Sequence, residues 1–282
     1  VVLQGEFDSR PDGVAQGAIV DTPAGDWYAI MFQDHGAVGR IPTIQPVTWM
    51  DGWPVMGDGG VPMKTVRVNL PVSGEDYVWA SDEFDSSELA LVWQWNHKPV
   101  DGLWSLAERP GWLRLRAGIP AEGIMSARNT LTQRTVGPKC VSEVKLDLSG
   151  LKPGDRAGIC AFQSGNIAVG AEMGSGGAVD VVLRRCDRDA KDEEIYRSRL
   201  GGDALWLRLY YVFTPSEGEE ADTVTASWSE DGRDWHDCGY TLKMRFTLDL
   251  FTGYRTALYC YPASDGGGGY ADFDYFRQWV VE

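Results

Sequence analysis

Acidic side chains come early in this chain, at Glu6, Asp8, Asp12, Asp21, Asp26, Asp34 and Asp51. Paired carboxylates can act as general acid and general base, one giving a proton while the other takes one. Asp34 and His35 adjoin in FQDHGAVGR, a loop that follows an apolar run and is the natural place for ligand contact. His35 could donate to a ligand hydroxyl. A lone histidine is more often a structural group, and no Ser or Cys nucleophile motif accompanies it, so nucleophilic catalysis has no support. Arg40, in GAVGRIPTIQ, carries a rigid fork of donors that could hold two hydroxyls, sit beside a carboxyl or bind loop carbonyls. A second acidic set is split between Asp82, Glu83 and Asp85 and the distant pair Asp272 and Asp274. If the first and last strands of a sandwich pair, Asp82 and Asp274 could share one structural calcium; otherwise these are outward-facing acids on two strands.

The elements that must position these groups are strands. Turn signals recur at Pro23-Ala24-Gly25, Asp51-Gly52, Ser73-Gly74, Lys152-Pro153-Gly154, Gly201-Gly202 and Asp231-Gly232, with short Val-, Leu-, Trp- and Tyr-rich runs between them. That spacing predicts an all-β chain. Residues 204–211 alternate Trp206, Arg208 and Tyr210 with Leu205, Leu207 and Leu209, as a strand with one apolar face does. Residues 141–148 repeat the pattern, Val144, Leu146 and Leu148 opposing Glu143, Lys145 and Asp147. Residues 26–33 are apolar on both sides, which predicts a strand covered on both faces. Residues 187–199 could pass for a helix, but their charge density predicts a solvated loop. Composition changes across PVSGEDYVWA, and a domain boundary is placed there, giving domains 1–75 and 76–282. The second is large enough for one two-sheet sandwich of about a dozen strands.

At 43% hydrophobic and 24% charged, the chain can bury a core and reads as globular. A net charge of -15 argues against nucleic acid, whose phosphates demand a basic surface, and is compatible with a neutral polysaccharide. Five cysteines form no CxxC pair and no zinc spacing, and the odd number favours buried free thiols. The chain starts at Val1 with no basic n-region and no long apolar run, so no signal peptide or membrane span is read and the start looks cut.

Residues 16–44, QGAIVDTPAGDWYAIMFQDHGAVGRIPTI, followed by QPVTWMDGWPVMG, resemble the closing blades of a glycoside hydrolase family 43 propeller. DEFDSSELALVWQWNH, WSLAERPGWLRLRA, ARNTLTQRTVGPKC, AGICAFQ, FTGYRTALYCY and ADFDYF resemble, in the same order, the sandwich that follows the propeller in the xylosidase and arabinofuranosidase branches of that family. The resemblance implies a partial five-bladed β-propeller remnant followed by a concanavalin-like or jelly-roll β-sandwich. It also implies inverting exo action on xylan or arabinoxylan oligosaccharides, with an Asp base, a Glu acid and a second Asp that tunes the acid. Those carboxylates belong to earlier blades, and no acid here matches their motifs. Glu6, in VVLQGEFDSR, matches the stretch after the acid-bearing segment, so no catalytic residue is assigned. A partner is therefore expected, an N-terminal propeller portion that is either covalent or split.

The same resemblance implies roles for particular residues. Arg40 matches an arginine that reaches the central cavity of the propeller. Gln16, in GVAQGAIV, stands near the axis where many relatives carry a histidine that binds a calcium-associated water network; an amide is a weaker metal partner. Phe251, in DLFTGYRTALYC, matches a sandwich loop whose ring closes the sugar subsite. Flat rings stack on pyranose faces, and the sandwich is rich in tryptophan, although most such rings fill a core. Trp235, in SEDGRDWHDCG after the hairpin turn Ser229-Glu230-Asp231-Gly232, is expected to be exposed and to contact glycan. No organic cofactor is expected. The alternative reading is a non-catalytic xylan-binding β-sandwich module.

Overall fold

Short apolar runs between turn signals become strands throughout, and no α-helix occurs among the described residues. A computed structural model describes residues 3–5, 13–71, 74, 79–186, 192–247, 250–264 and 266–281. Glu6, Asp8 and Asp12 lie outside them. The chain divides into two units, Val1–Asp76 and Tyr77–Glu282.

The first unit is one four-stranded antiparallel meander of β1 (Ala15–Asp21), β2 (Trp27–Asp34), β3 (Arg40–Met50) and β4 (Trp53–Met56), the form of a propeller blade. Asp51 and Gly52 make the two-residue turn between β3 and β4, with φ of 50° and 79°. Two successive left-handed residues match the twist of a tight hairpin, which is why Asp-Gly stands there. Ala29, Val47 and Met56 form a small core with Leu3, Ile19, Trp27 and Met31 against it. Strand β2 was expected to be covered on both faces; Tyr28 and Ala29 are buried but Ile30 is 50% exposed. Gln45, fully buried, donates to Met63 O at 3.1 Å and accepts the Met63 amide at 2.7 Å, which stitches the segment after β4 to the blade.

The second unit is a two-layer jelly-roll sandwich. One seven-stranded sheet runs β13-β12-β11-β10-β17-β8-β5 and the other β16-β15-β14-β9-β18-β7-β6. The strands are β5 (Gln94–Trp95), β6 (Trp104–Ser105), β7 (Leu113–Arg116), β8 (Leu131–Arg134), β9 (Lys139–Asp147), β10 (Asp155–Phe162) and β11 (Asn166–Met173). They continue as β12 (Val179–Cys186), β13 (Glu193–Arg199), β14 (Ala204–Val212), β15 (Thr223–Ser229), β16 (His236–Lys243), β17 (Arg255–Pro262) and β18 (Tyr270–Val281). The alternation read from residues 204–211 is realised: Leu205, Leu207 and Leu209 are fully buried, while Trp206, Arg208 and Tyr210 face outward. Val144 and Leu146 of β9 and Ile159 of β10 share the core. A polar seam crosses it, where Ser142 Oγ lies 2.8 Å from Thr256 Oγ1 and donates to Gln278 Oε1 at 3.0 Å, and Tyr211 OH reaches Thr256 at 2.9 Å. Each of these hydroxyls has a partner, so the seam fixes the register of facing strands without stranding a polar group.

The charge-dense stretch expected to be a loop forms an edge strand instead. Glu193–Arg199 pairs antiparallel with β12, while residues 187–191 lie outside the described residues. Its charges find opposite charges across the strands: Glu172 meets Arg156, Arg184 and Arg197, and Asp180 meets Arg197 and Arg199. Cross-strand pairing removes the penalty that made a strand look unfavourable, and a charged edge resists pairing with another chain.

Burial alone would raise the Glu172 carboxyl, but hydrogen bonding by Arg184 and the charge of Arg156 outweigh it and hold the group below the usual glutamate range. A depressed folded value means stability that is present above about pH 4.3 and is lost as the pH falls through the folded value. The stability difference between the parent and Glu172→Gln should therefore shrink from pH 7 to pH 3 in urea unfolding. A difference that stays constant with pH would show that the charge of Glu172 is not what stabilises.

One pair runs against the general neutralisation. Arg255 of β17 sits directly opposite Arg134 of β8. Its Nη1 donates to Thr132 Oγ1 at 3.1 Å, but its Nε is buried without a hydrogen-bond partner. Burial, and then the neighbouring Arg134, lower its pKa.

Candidate functional site

The turn between β2 and β3 brings the sequence-predicted residues of the blade to one end. Asp34 and Arg40 are register partners across it, and a single 3-10 turn at Gly36–Val38 fills the gap. Gly36 and Gly39 adopt φ of 65° and 95°, which is why the GAVG segment can reverse so tightly. Arg40 Nε donates to Asp34 Oδ1 at 3.0 Å, and the guanidinium lies 4.4 Å from the centroid of the Phe32 ring. Carboxylate and ring together fix the direction of the fork before any ligand arrives. His35 lines an open cavity of about 330 Å3 with Ile41, Pro42, Thr43 and Lys64.

Gln16 stands at the same end of the blade. It is the extra residue where the pairing of β1 and β2 shifts between Ala15 and Gly17, it has φ of 45°, and it is exposed. A bulge re-aims a side chain, and a left-handed non-glycine residue costs of order 1–3 kcal/mol, a strain that tends to persist at functional positions. Gln16, Asp34, His35 and Arg40 thus lie toward the same end of the blade. The sequence marks Phe32 only as an apolar strand residue, and Lys64 lies in a segment without regular pattern, so neither stands out locally.

The remaining predicted contacts belong to the sandwich. Phe251 is 62% exposed with φ of 49° and adjoins Thr252, which bridges to Thr247 and whose carbonyl accepts Gln163 Nε2. Trp235 follows a self-satisfied turn, in which Ser229 Oγ accepts the amides of Asp231 and Gly232, and Asp231 Oδ1 accepts those of Arg233 and Asp234. Its ring is half-buried, and one face is filled by the Arg208 guanidinium at 3.7 Å, itself held by Glu143.

Asp82 and Asp274 do not fit a calcium site. The Asp82 backbone does bridge to Phe276 of β18, as expected if the two ends of the sandwich pair. Its carboxylate, however, accepts the Phe84 amide and the Trp93 indole N–H, both at 2.8 Å. Asp274, in a bulge of β18, pairs with Lys145 at 2.6 Å. Calcium takes six to eight oxygens, and among the described residues no group of three or more His, Cys, Asp or Glu could hold a metal ion. Asp272 is likewise occupied, by Arg109 and Arg114.

The sandwich matches a known family. Residues 81–278 fit the profile described as the β-xylosidase C-terminal concanavalin A-like domain of glycoside hydrolase family 43. A β-xylosidase of Formosa agariphila is 30% identical over 96% of this chain and 48% of its own length, and a putative β-xylosidase of Escherichia coli K12 is 27% identical over 92% and 53%. The chain spans about half the length of these curated relatives. Among solved structures, a bifunctional GH43-CE protein of Bacteroides eggerthii is 39% identical with a TM-score of 0.83, over 96% of this chain and 35% of that one. An engineered GH43 glycoside hydrolase with endo-xylanase and exo-arabinofuranosidase activity is 27% identical with a TM-score of 0.87, over 99% and 56%. Because the profile spans most of the chain and lies on the jelly roll, the chain belongs to the family of β-xylosidase C-terminal concanavalin A-like domains of glycoside hydrolase family 43.

Proposed function

We propose that the chain is the C-terminal part of an inverting exo-glycosidase, a β-xylosidase or α-L-arabinofuranosidase acting on xylan or arabinoxylan oligosaccharides and side chains. What carries the reading is that similarity to enzymes named as xylosidases runs through both units, over 92–96% of the chain. Arg40 holds sugar hydroxyls with a fork pre-set by Asp34 and Phe32, and Gln16 and His35 add polar contacts. Inversion needs a water between the base and the sugar and a separate acid on the leaving oxygen, and an N-terminal propeller portion supplies those carboxylates.

The test is hydrolysis of aryl β-xyloside and aryl α-L-arabinofuranoside. The chain by itself should give no turnover above the uncatalysed rate, and joining it to the N-terminal propeller of a family 43 relative should restore turnover on at least one substrate. Turnover by the chain alone that a Glu6 substitution abolishes would overturn this division of labour. Retention on insoluble xylan with no turnover in the joined protein would favour the binding-module reading.

A further inference from the structure

The end of the blade away from Arg40 holds a second cavity, of about 380 Å3. The register fixes the separation: Asp34 pairs with Arg40 at one end of β2, and Trp27 pairs with Asp21 at the other. Trp27 and Trp49 line it, their ring centroids 5.2 Å apart and their planes at 84°. Edge-to-face packing gives Trp49, which is 46% exposed, a fixed direction. Asp26, Thr48 and Arg67 line the same cavity. The Tyr28 hydroxyl accepts the Asn69 amide at 3.2 Å, which anchors the segment that carries Arg67.

Both charges are available. Among the described residues neither the Asp26 carboxylate nor the Arg67 guanidinium has an ion-pair or hydrogen-bond partner, and they do not pair with each other. With one charge of each sign, the cavity has no net charge with which to select an anion or a cation. A neutral polyol suits both, because each hydroxyl can donate to the carboxylate and accept from the guanidinium. A pyranose adds a flat C–H face that packs on an indole ring while its hydroxyls turn outward. The volume lies near the low end for ligand pockets, about 300–1,000 Å3, and suits a short segment of chain.

We propose that this cavity is a second glycan-binding site, which takes a neutral pyranose segment through Trp49, Asp26 and Arg67, apart from the Arg40 end of the blade. The choice of a xylan-type chain as its ligand rests on the function proposed above; the site itself does not depend on catalysis.

Titration of the full chain with xylohexaose, followed by calorimetry and tryptophan fluorescence, should show saturable binding. Trp49→Ala, Asp26→Asn and Arg67→Met should each weaken it at least tenfold. The last two remove no core packing, so a loss of fold cannot imitate the result. Failure of the parent chain to bind would overturn the proposal, as would binding that survives both Asp26→Asn and Arg67→Met. Equal affinity for an oligogalacturonate would overturn the assignment to a neutral ligand. Absence of hydrolysis in the joined enzyme would count against the proposed activity and leave this binding result standing.

Discussion

Replacing Asp272 by Ala should destabilise the sandwich by about 3 kcal/mol, the low end of what removing one partner of a buried ion pair costs. Asp272 is 1% exposed and accepts Arg114 Nε at 2.7 Å, Arg114 Nη2 at 2.8 Å and Arg109 Nη1 at 3.0 Å. The two guanidiniums stack on Tyr270 and Trp112, at 3.8 and 3.6 Å, so neither can swing freely into water once its carboxylate is gone. The low end applies because Arg109 is 35% exposed and keeps Asp147 as a partner. For a unit of this size the loss corresponds to a fall in Tm of roughly 6–12 °C. Arg277→Ala, which breaks a pair with Glu83 in which both side chains are about half exposed, should cost less than about 1 kcal/mol. Equal losses in the two variants, read by urea unfolding, would show that burial does not separate them.

The second large effect is expected on catalysis. In an enzyme joined to its N-terminal propeller, Arg40→Ala should lower kcat/KM roughly ten- to hundredfold, the equivalent of losing about 1.5–3 kcal/mol of charge-assisted hydrogen bonding to the sugar. Thermal stability should change far less, because the pair that Arg40 makes with Asp34 is partly solvated, at 27% and 29% side-chain exposure. A large drop in Tm with unaltered kinetics would make Arg40 a scaffold residue that merely closes the turn between β2 and β3.

Features carried by neighbouring residues were legible in the sequence. The alternation in residues 204–211 is β14, Asp51-Gly52 is the expected hairpin turn, and the Ser229 to Gly232 turn satisfies its own backbone. Features that depend on distant partners were not. Asp272 and Asp274 read as candidate metal ligands because their cations, Arg114 and Lys145, lie 158 and 129 positions away. The strand β13 was hidden for the same reason, since its charges look unfavourable until β11 and β12 lie beside it. The facing arginines Arg134 and Arg255 depend on the register of β8 against β17, which no local pattern sets. At the blade, the family resemblance led to Gln16, His35 and Arg40, but Lys64 comes to the cavity that His35 lines through a chain segment without periodicity.

The cysteines make the sandwich a recorder of its own openings. None of the five is in a disulfide; Cys140 and Cys238 lie in one sheet and Cys160 and Cys260 in the other, and these four are buried. Burial lifts Cys140 and Cys238 to about 12 and pushes Cys160 and Cys260 up as well. Alkylating reagents attack the thiolate, so access and protonation both shield these positions while the layers stay closed. Half-buried Cys186 would be modified first, and each later adduct would date the parting of the sheet that holds it. Mass spectrometry of a labelling time course could thus rank the two layers by how often each comes apart, without any engineered probe.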